Sequence, residues 1–251
     1  MCLVPFLVVL VVASAFSMFG KGGGSLYTPV LVMLGWDMGV STSTALFLNL
    51  VTALVATIVF ARNLLVDFRF CAVLLPGTIV GLILGALPSS RVPKDLLLWL
   101  FAGFLIVAGV LMIRSGKGEA GQSVKPLSWR LGTLIAGFSF GVGVLSSLIG
   151  VGGGLVIFPF LVLYMGNSVQ KAAGANALIV TVNFLVGSAG HLAVGQIEYA
   201  PIGVTAVAAA AGSAVGSHVT VKASPKFVKV AFTFIMWFFA VEIVLRLLKV
   251  V

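Results

Sequence analysis

The residues with the clearest chemical potential are two glycine runs. Gly20-Lys21-Gly22-Gly23-Gly24 with Pro29 recurs as Gly150-Val151-Gly152-Gly153-Gly154 with Pro159. Each opens a short apolar run, 25–36 or 155–165. Consecutive glycines leave backbone N–H groups unshielded, and the next helix points its positive end at the same place. Together these make an anion site. The bland alternative is close helix packing through small residues. Duplication of the pattern at the two short runs favours the site.

Other polar residues gather on the runs that follow. Thr44 and Asn49 lie on run 41–61, with Ser41, Thr42, Ser43 and Thr52. Asn176, Asn183 and His191 lie on run 172–192, with Thr181 and Ser188. These can wall the same cavity, or simply bond helices together at about 1 kcal/mol or less per bond. Lys21 breaks the duplication, because Val151 is its counterpart. Near the membrane interior a lysine is costly and points to function, whereas at the interface it snorkels. The candidate substrate-binding set is therefore Lys21, Gly22, Gly23, Gly24, Ser25, Thr44, Asn49, Gly152, Gly153, Gly154, Asn176, Asn183 and His191.

No catalytic set and no metal-ligand set stands out. Asp37, Asp67, Asp95, Glu119 and Glu198 fall between apolar runs, and Glu242 lies near the end of the last one. A carboxylate proton relay is not evident, and an anionic substrate needs none. Cys2 and Cys71 have no metal spacing. No cofactor is expected.

These residues need a scaffold, and composition names its solvent. The chain has 251 residues, of which 61% are hydrophobic and 8% charged, with mean hydropathy +1.24. Soluble domains carry about 25% charged residues. A soluble enzyme, a disordered chain and a nucleic-acid binder are excluded, and a polytopic protein in a lipid bilayer is expected. Apolar runs cover 3–19, 25–36, 41–61, 70–88, 96–113, 131–149, 155–165, 172–192, 200–221 and 227–245. Spanning takes about 20 residues, so 25–36 and 155–165 are too short to cross alone. Ala13-Ser14-Ala15 resembles a signal-peptide cleavage site, but no basic segment precedes it, and run 131–149 is its counterpart. Run 3–19 is read as part of the fold.

The duplication extends along the chain. An offset of 130, then 131 after one inserted residue, also matches Gly35 with Gly166, Asp67 with Glu198, Gly81 with Gly212 and Gly85 with Gly216. Two membrane repeats, 1–113 and 131–251, are expected, joined by a cytoplasmic linker at 114–130. Each holds three spanning helices plus a broken helix or a re-entrant hairpin. Gly81-x-x-x-Gly85 and Gly212-x-x-x-Gly216 read as packing motifs.

Charge orients the repeats. The net charge of +9 reflects Lys and Arg between apolar runs, as the positive-inside rule describes. Inverted halves put ten basic residues inside (Arg62, Arg69, Arg114, Lys117, Lys125, Arg130, Lys171, Lys222, Lys226, Lys229) and four outside (Arg91, Lys94, Arg246, Lys249). Parallel halves split them eight to six. The inverted arrangement is preferred, with both termini outside the cytoplasm.

The residues resemble the TauE/SafE group of sulfite exporters, the toluene sulfonate uptake permease family, over nearly the whole chain. The second half is most similar: Gly150-Val-Gly-Gly-Gly154, Pro159, Lys171-Ala-Ala-Gly174, and Gly190-His-Leu-Ala-Val-Gly-Gln-Ile-Glu-Tyr199. The family's usual Gly-Thr-Ser is Gly174-Ala175-Asn176 here, and Ser43-Thr44-Ala45 in the first half. Lys21 replaces the usual valine. The resemblance implies transport of sulfite, sulfoacetate or related sulfonates across the cytoplasmic membrane of a prokaryote.

The expected protein is thus an all-α anion transporter with alternating access between the two glycine tips. A passive anion channel is the nearer rival. An intramembrane enzyme lacks a nucleophile–base set. The topology has a direct check: a C-terminal tag should react with impermeant reagents added to intact cells, and protection of that tag would overturn the orientation.

Overall fold

The computed structural model describes residues 3–86, 94–115, 129–149, 152–192 and 202–248. Among the described residues it is helical with turns and no strand. The first half holds α1 (Leu3–Ser17), α2 (Gly24–Met33), α3 (Met38–Arg62), α4 (Phe68–Ala86) and α5 (Lys94–Arg114). The second holds α6 (Trp129–Ile149), α7 (Gly154–Pro159, continued by a π-helical turn Phe160–Tyr164), α8 (Val169–Leu192), α9 (Ile202–Lys222) and α10 (Pro225–Leu247). Six are long and apolar enough to cross a bilayer: α3, α4 and α5, then α8, α9 and α10. The protein is an all-α polytopic membrane protein.

Several helices begin earlier than the apolar runs because polar caps belong to them. Asp37 accepts the Gly39 N–H at 2.8 Å, so α3 starts at Met38 rather than at 41. Asp67 accepts from the Arg69 and Phe70 N–H groups at the start of α4. Such caps satisfy first-turn N–H groups that have no intrahelical acceptor. Most of the linker, 116–128, lies outside the described residues. So do Cys2, Arg91, Lys117, Glu119, Lys125, Glu198 and Lys249.

Packing repeats from one half to the other. Gly81 and Gly85 of α4 press on the backbone of Phe140 and Val144 of α6. Gly212 and Gly216 of α9 press on Leu10 and Ser14 of α1. Leu10 and Phe140 are 130 apart, as are Ser14 and Val144. In both pairs the residue numbers rise together, so α4 runs with α6 and α9 runs with α1. Equivalent helices instead run oppositely. Thr57 meets Thr181 at 3.0 Å while Phe60 meets Gly174, so α3 opposes α8. Lys229 Nζ donates to Ser115 Oγ at 2.9 Å while Thr233 Oγ1 donates to the Gly109 carbonyl at 3.4 Å, so α5 opposes α10.

The outer faces are strongly apolar. Leu100, Val107, Phe234 and Val241 are each more than half exposed. Water does not tolerate so continuous an apolar surface, but lipid does. Within it, α4 follows α6 closely from Gly77 to Gly85, with only small serine side chains and backbone in the seam. Gly81→Ala and Gly216→Ala each force a Cβ onto a backbone carbonyl, at a cost of about 1–3 kcal/mol. Gly137→Ala meets open space and is expected to be neutral or slightly stabilising. Melting curves of the purified proteins in detergent measure the difference, and equal melting temperatures for all three would refute the packing role.

Candidate functional site

The first glycine tip joins α1 to α2. After α1 the Gly20 N–H donates to the Ser17 carbonyl at 3.0 Å and the Lys21 N–H to the Phe16 carbonyl at 3.2 Å. Gly20 abuts the backbone of Ala173 and Ala177 on α8, where no side chain fits. Gly22 lies against Asn49, near the middle of α3. Gly23 is the N-cap of α2 and has no side chain to offer, so no cap occupies the first turn. The Tyr27 ring covers Gly23.

The second tip joins α6 to α7. Gly153 caps α7 at φ 73°, a left-handed conformation that glycine adopts without strain. Every residue of α7 is buried. Gly152 faces Phe184, and Gly154 faces Val180 and Asn176 of α8. Gly154 also faces the Lys21 Cγ, so the two tips meet.

One amide ties them. Asn176 Nδ2 donates to the Phe19 carbonyl at 2.8 Å and to the Gly154 carbonyl at 3.2 Å. Both amide hydrogens are thereby used, which leaves Oδ1 as a buried acceptor with no partner. Asn176 was expected to orient a substrate; its two amide hydrogens hold the two tips together, and its Oδ1 is the atom left over.

Lys21 is 1% exposed and does not reach an interface. Its Nζ has no hydrogen-bond partner. It lies 4.7 Å from the Phe239 ring centre and 5.1 Å from that of Phe16. Phe19, Phe158 and Phe232 pack as a further ring cluster, and Phe16 also meets Phe239 edge-on at 5.8 Å. Ring faces attract a desolvated cation by about 2 kcal/mol each. Taking an ammonium out of water costs several kcal/mol. The rings offset part of that cost.

Asn183 is 2% exposed, and neither its Nδ2 nor its Oδ1 has a partner. It lies two helical turns from Asn176, on the same face of α8. Asn49 is buried beside Gly22. Thr44 is buried on α3, about 7.5 Å along the axis from Asn49 at 1.5 Å per residue. Gly24 opens α2 with Ser25 behind it, and His191 lies in the last turn of α8. The side chains of Ser25 and His191 lie outside the described residues. Thr42 and Ser43 bond back to the carbonyls of Met38 and Gly39.

Sequence reasoning missed Tyr27, Ser213 and the ring pair Phe16 and Phe239. Thr52 Oγ1 donates to the Leu48 carbonyl at 2.7 Å, so the 2.9 Å contact with Tyr27 is donated by the tyrosine. Ser213 Oγ donates to the Thr52 carbonyl at 2.6 Å. This chain joins α2, α3 and α9 next to the first tip. Tyr27 had a signal, being a lone phenol in a short apolar helix. Phe239 had none among so many phenylalanines. Among the described residues no group of His, Cys, Asp or Glu could hold a metal ion. Glu242 pairs with Arg246 one turn away.

Comparison with known proteins agrees with this architecture. A probable membrane transporter protein of Methanocaldococcus jannaschii is 25% identical over 257 residues, covering 93% of this chain and 92% of that one. The probable membrane transporter protein YunE of Bacillus subtilis is 23% identical over 214 residues, covering 76% and 78%. A second probable membrane transporter protein of Bacillus subtilis, YdhB, is 29% identical over 146 residues, covering 56% and 58%. No solved structure matches. The sulfite exporter TauE/SafE family matches residues 5–243, and the chain, a multi-pass membrane transporter, belongs to that family.

Proposed function

We propose that this transporter moves small sulfur-containing or organic anions, such as sulfite, sulfoacetate or related sulfonates, across the cytoplasmic membrane of a prokaryote. The anion binds between the two glycine tips. The observation that carries this reading is the set of buried, unpartnered polar atoms there: Lys21 Nζ, Asn176 Oδ1 and both amide atoms of Asn183. Buried polar groups are nearly always paired, so such a set marks a place for a ligand. Lys21 Nζ, Asn183 Nδ2 and the uncapped first turn of α2 supply donors to oxyanion oxygens. Asn49 and Thr44 line the approach along α3.

Transport is by alternating access of two inverted halves. The opposed directions of α3 with α8 and of α5 with α10 support inversion, since each pair is matched by the sequence offset. The halves are 1–113 and 131–251, with the intervening linker in the cytoplasm. The close cover of Tyr27 over Gly23, and of Gly20 on α8, supports a carrier rather than an open channel.

Flux into reconstituted liposomes, with sulfite, sulfoacetate, thiosulfate and taurine in turn, tests the reading. A carrier saturates and shows counterflow, whereas linear flux without counterflow would establish a channel. Asn183→Leu separates site from scaffold. Leaving a polar group buried without a partner costs about 1–3 kcal/mol. The variant is therefore expected to melt higher in the absence of substrate and to transport at least ten-fold more slowly. Wild-type transport by this variant would remove Asn183 from the site.

A further inference from the structure

Lys21 stands out because nothing in the resting structure answers its charge. Its Nζ is buried, has no hydrogen-bond partner and faces the rings of Phe16 and Phe239. Among the described residues, the elements around it present no counter-ion. Helix α1 and the six residues of α7 carry no titratable side chain, and Tyr164 in the following π turn is 40% exposed. On α8, Lys171 is exposed. On α10, Glu242 follows Phe239 by three residues and is held by Arg246. On α2 and α3, Tyr27 is bonded to Thr52, and Asp37 and Arg62 sit at the two ends of α3. A buried ammonium without a partner is expensive, and such a group sheds its proton instead. With a monoanion beside it, the ammonium gains its missing counter-charge.

We propose that Lys21 carries one proton with each anion, so that the protein is a proton–anion cotransporter. The inference rests on the anion site proposed above. In the empty carrier Nζ is an amine with a free lone pair between the two rings. On the loading side that lone pair takes a proton from water-borne hydronium, forming a fourth bond at Nζ. The ammonium then pairs with the anion's oxygen as an overall neutral unit. On the far side the anion leaves, the N–H bond breaks, and the proton returns to water. For a monoanion no net charge crosses the membrane. The amine of the empty carrier and the neutral ion pair of the loaded one are the two states that can afford the apolar passage. The charged, anion-free state cannot, and this couples the two ions without any carboxylate relay.

The test uses the full chain in liposomes that contain a pH indicator dye, with potassium and valinomycin holding the membrane potential at zero. Methanesulfonate is the probe, because its strong acid leaves it fully ionised and it carries no proton of its own. Wild type should acidify the lumen by one proton per anion taken up, and an inward proton gradient should drive accumulation. Lys21→Met removes the proton carrier and should lose the proton flux, with anion uptake down at least ten-fold. Lys21→Arg places a permanent cation there. It should lose net uptake and proton flux, while labelled methanesulfonate still exchanges across the membrane, because only the loaded form can return. A merely structural lysine would not separate exchange from net uptake. Wild-type uptake without proton movement, or one proton per anion persisting in Lys21→Met, overturns the coupling and leaves the anion site standing. Absence of both uptake and exchange in wild type overturns the coupling together with the sulfonate reading it rests on.

Discussion

The amide of Asn176 is the contact on which the centre of this protein depends. It joins the Phe19 carbonyl, just before the first glycine tip, to the Gly154 carbonyl, just after the second. Both carbonyls belong to buried residues, so solvent cannot take the amide's place if it is lost. Gly20 adds a second tie by lying directly on the backbone of Ala173 and Ala177. Helix α8 is thereby fixed to both tips at once. A motion that opens either tip must carry α8 along or exchange these hydrogen bonds for others. The same constraint explains the glycines, since any side chain at Gly20 or Gly22 would hold the backbones apart.

The duplicated frame does not carry duplicated chemistry. By the sequence offset Lys21 corresponds to Val151, Asn176 to Ala45, Asn49 to Val180 and Asn183 to Thr52. The backbone plan is kept in both halves, while the polar side chains are divided between them. One half supplies the cation, and the other supplies the bridging amide and the free amide. The symmetric frame thus carries an asymmetric set of buried polar groups.

Much of this was legible in the chain. Helix positions followed from apolar runs because lipid exposure demands nearly unbroken apolarity, while several starts lie two or three residues earlier, at polar caps such as Asp37, Asp67 and Ser224. The glycine tips were legible because they occur twice, at the two runs too short to span. The packing motifs were legible for the same reason, and each fell on a carbonyl of the matching helix. What could not be read was depth and direction. Lys21 sits next to glycine in sequence, yet its fate is decided by Phe239, more than two hundred residues away. Asn176 looked like a substrate ligand because a buried amide is rare. Its two donors turned out to be committed to carbonyls on two other segments, which no local pattern announces. The Tyr27, Thr52 and Ser213 chain joins three helices and was hidden for that reason.

A carrier must tolerate some unpaired polarity, and its location here is informative. The unpartnered atoms of Lys21 and Asn176 sit beside tightly packed parts of the fold: the rings of Phe16 and Phe239 and the close backbone approach of Gly154. Loosely packed surroundings would relax onto these groups or admit water, and either would satisfy them without a ligand. Dense apolar packing prevents both, so the cost persists. It follows that substitutions that pair or remove these polar atoms should make the protein more stable and worse at its task, whereas substitutions in the α4–α6 and α1–α9 seams should weaken the frame without altering what the site prefers.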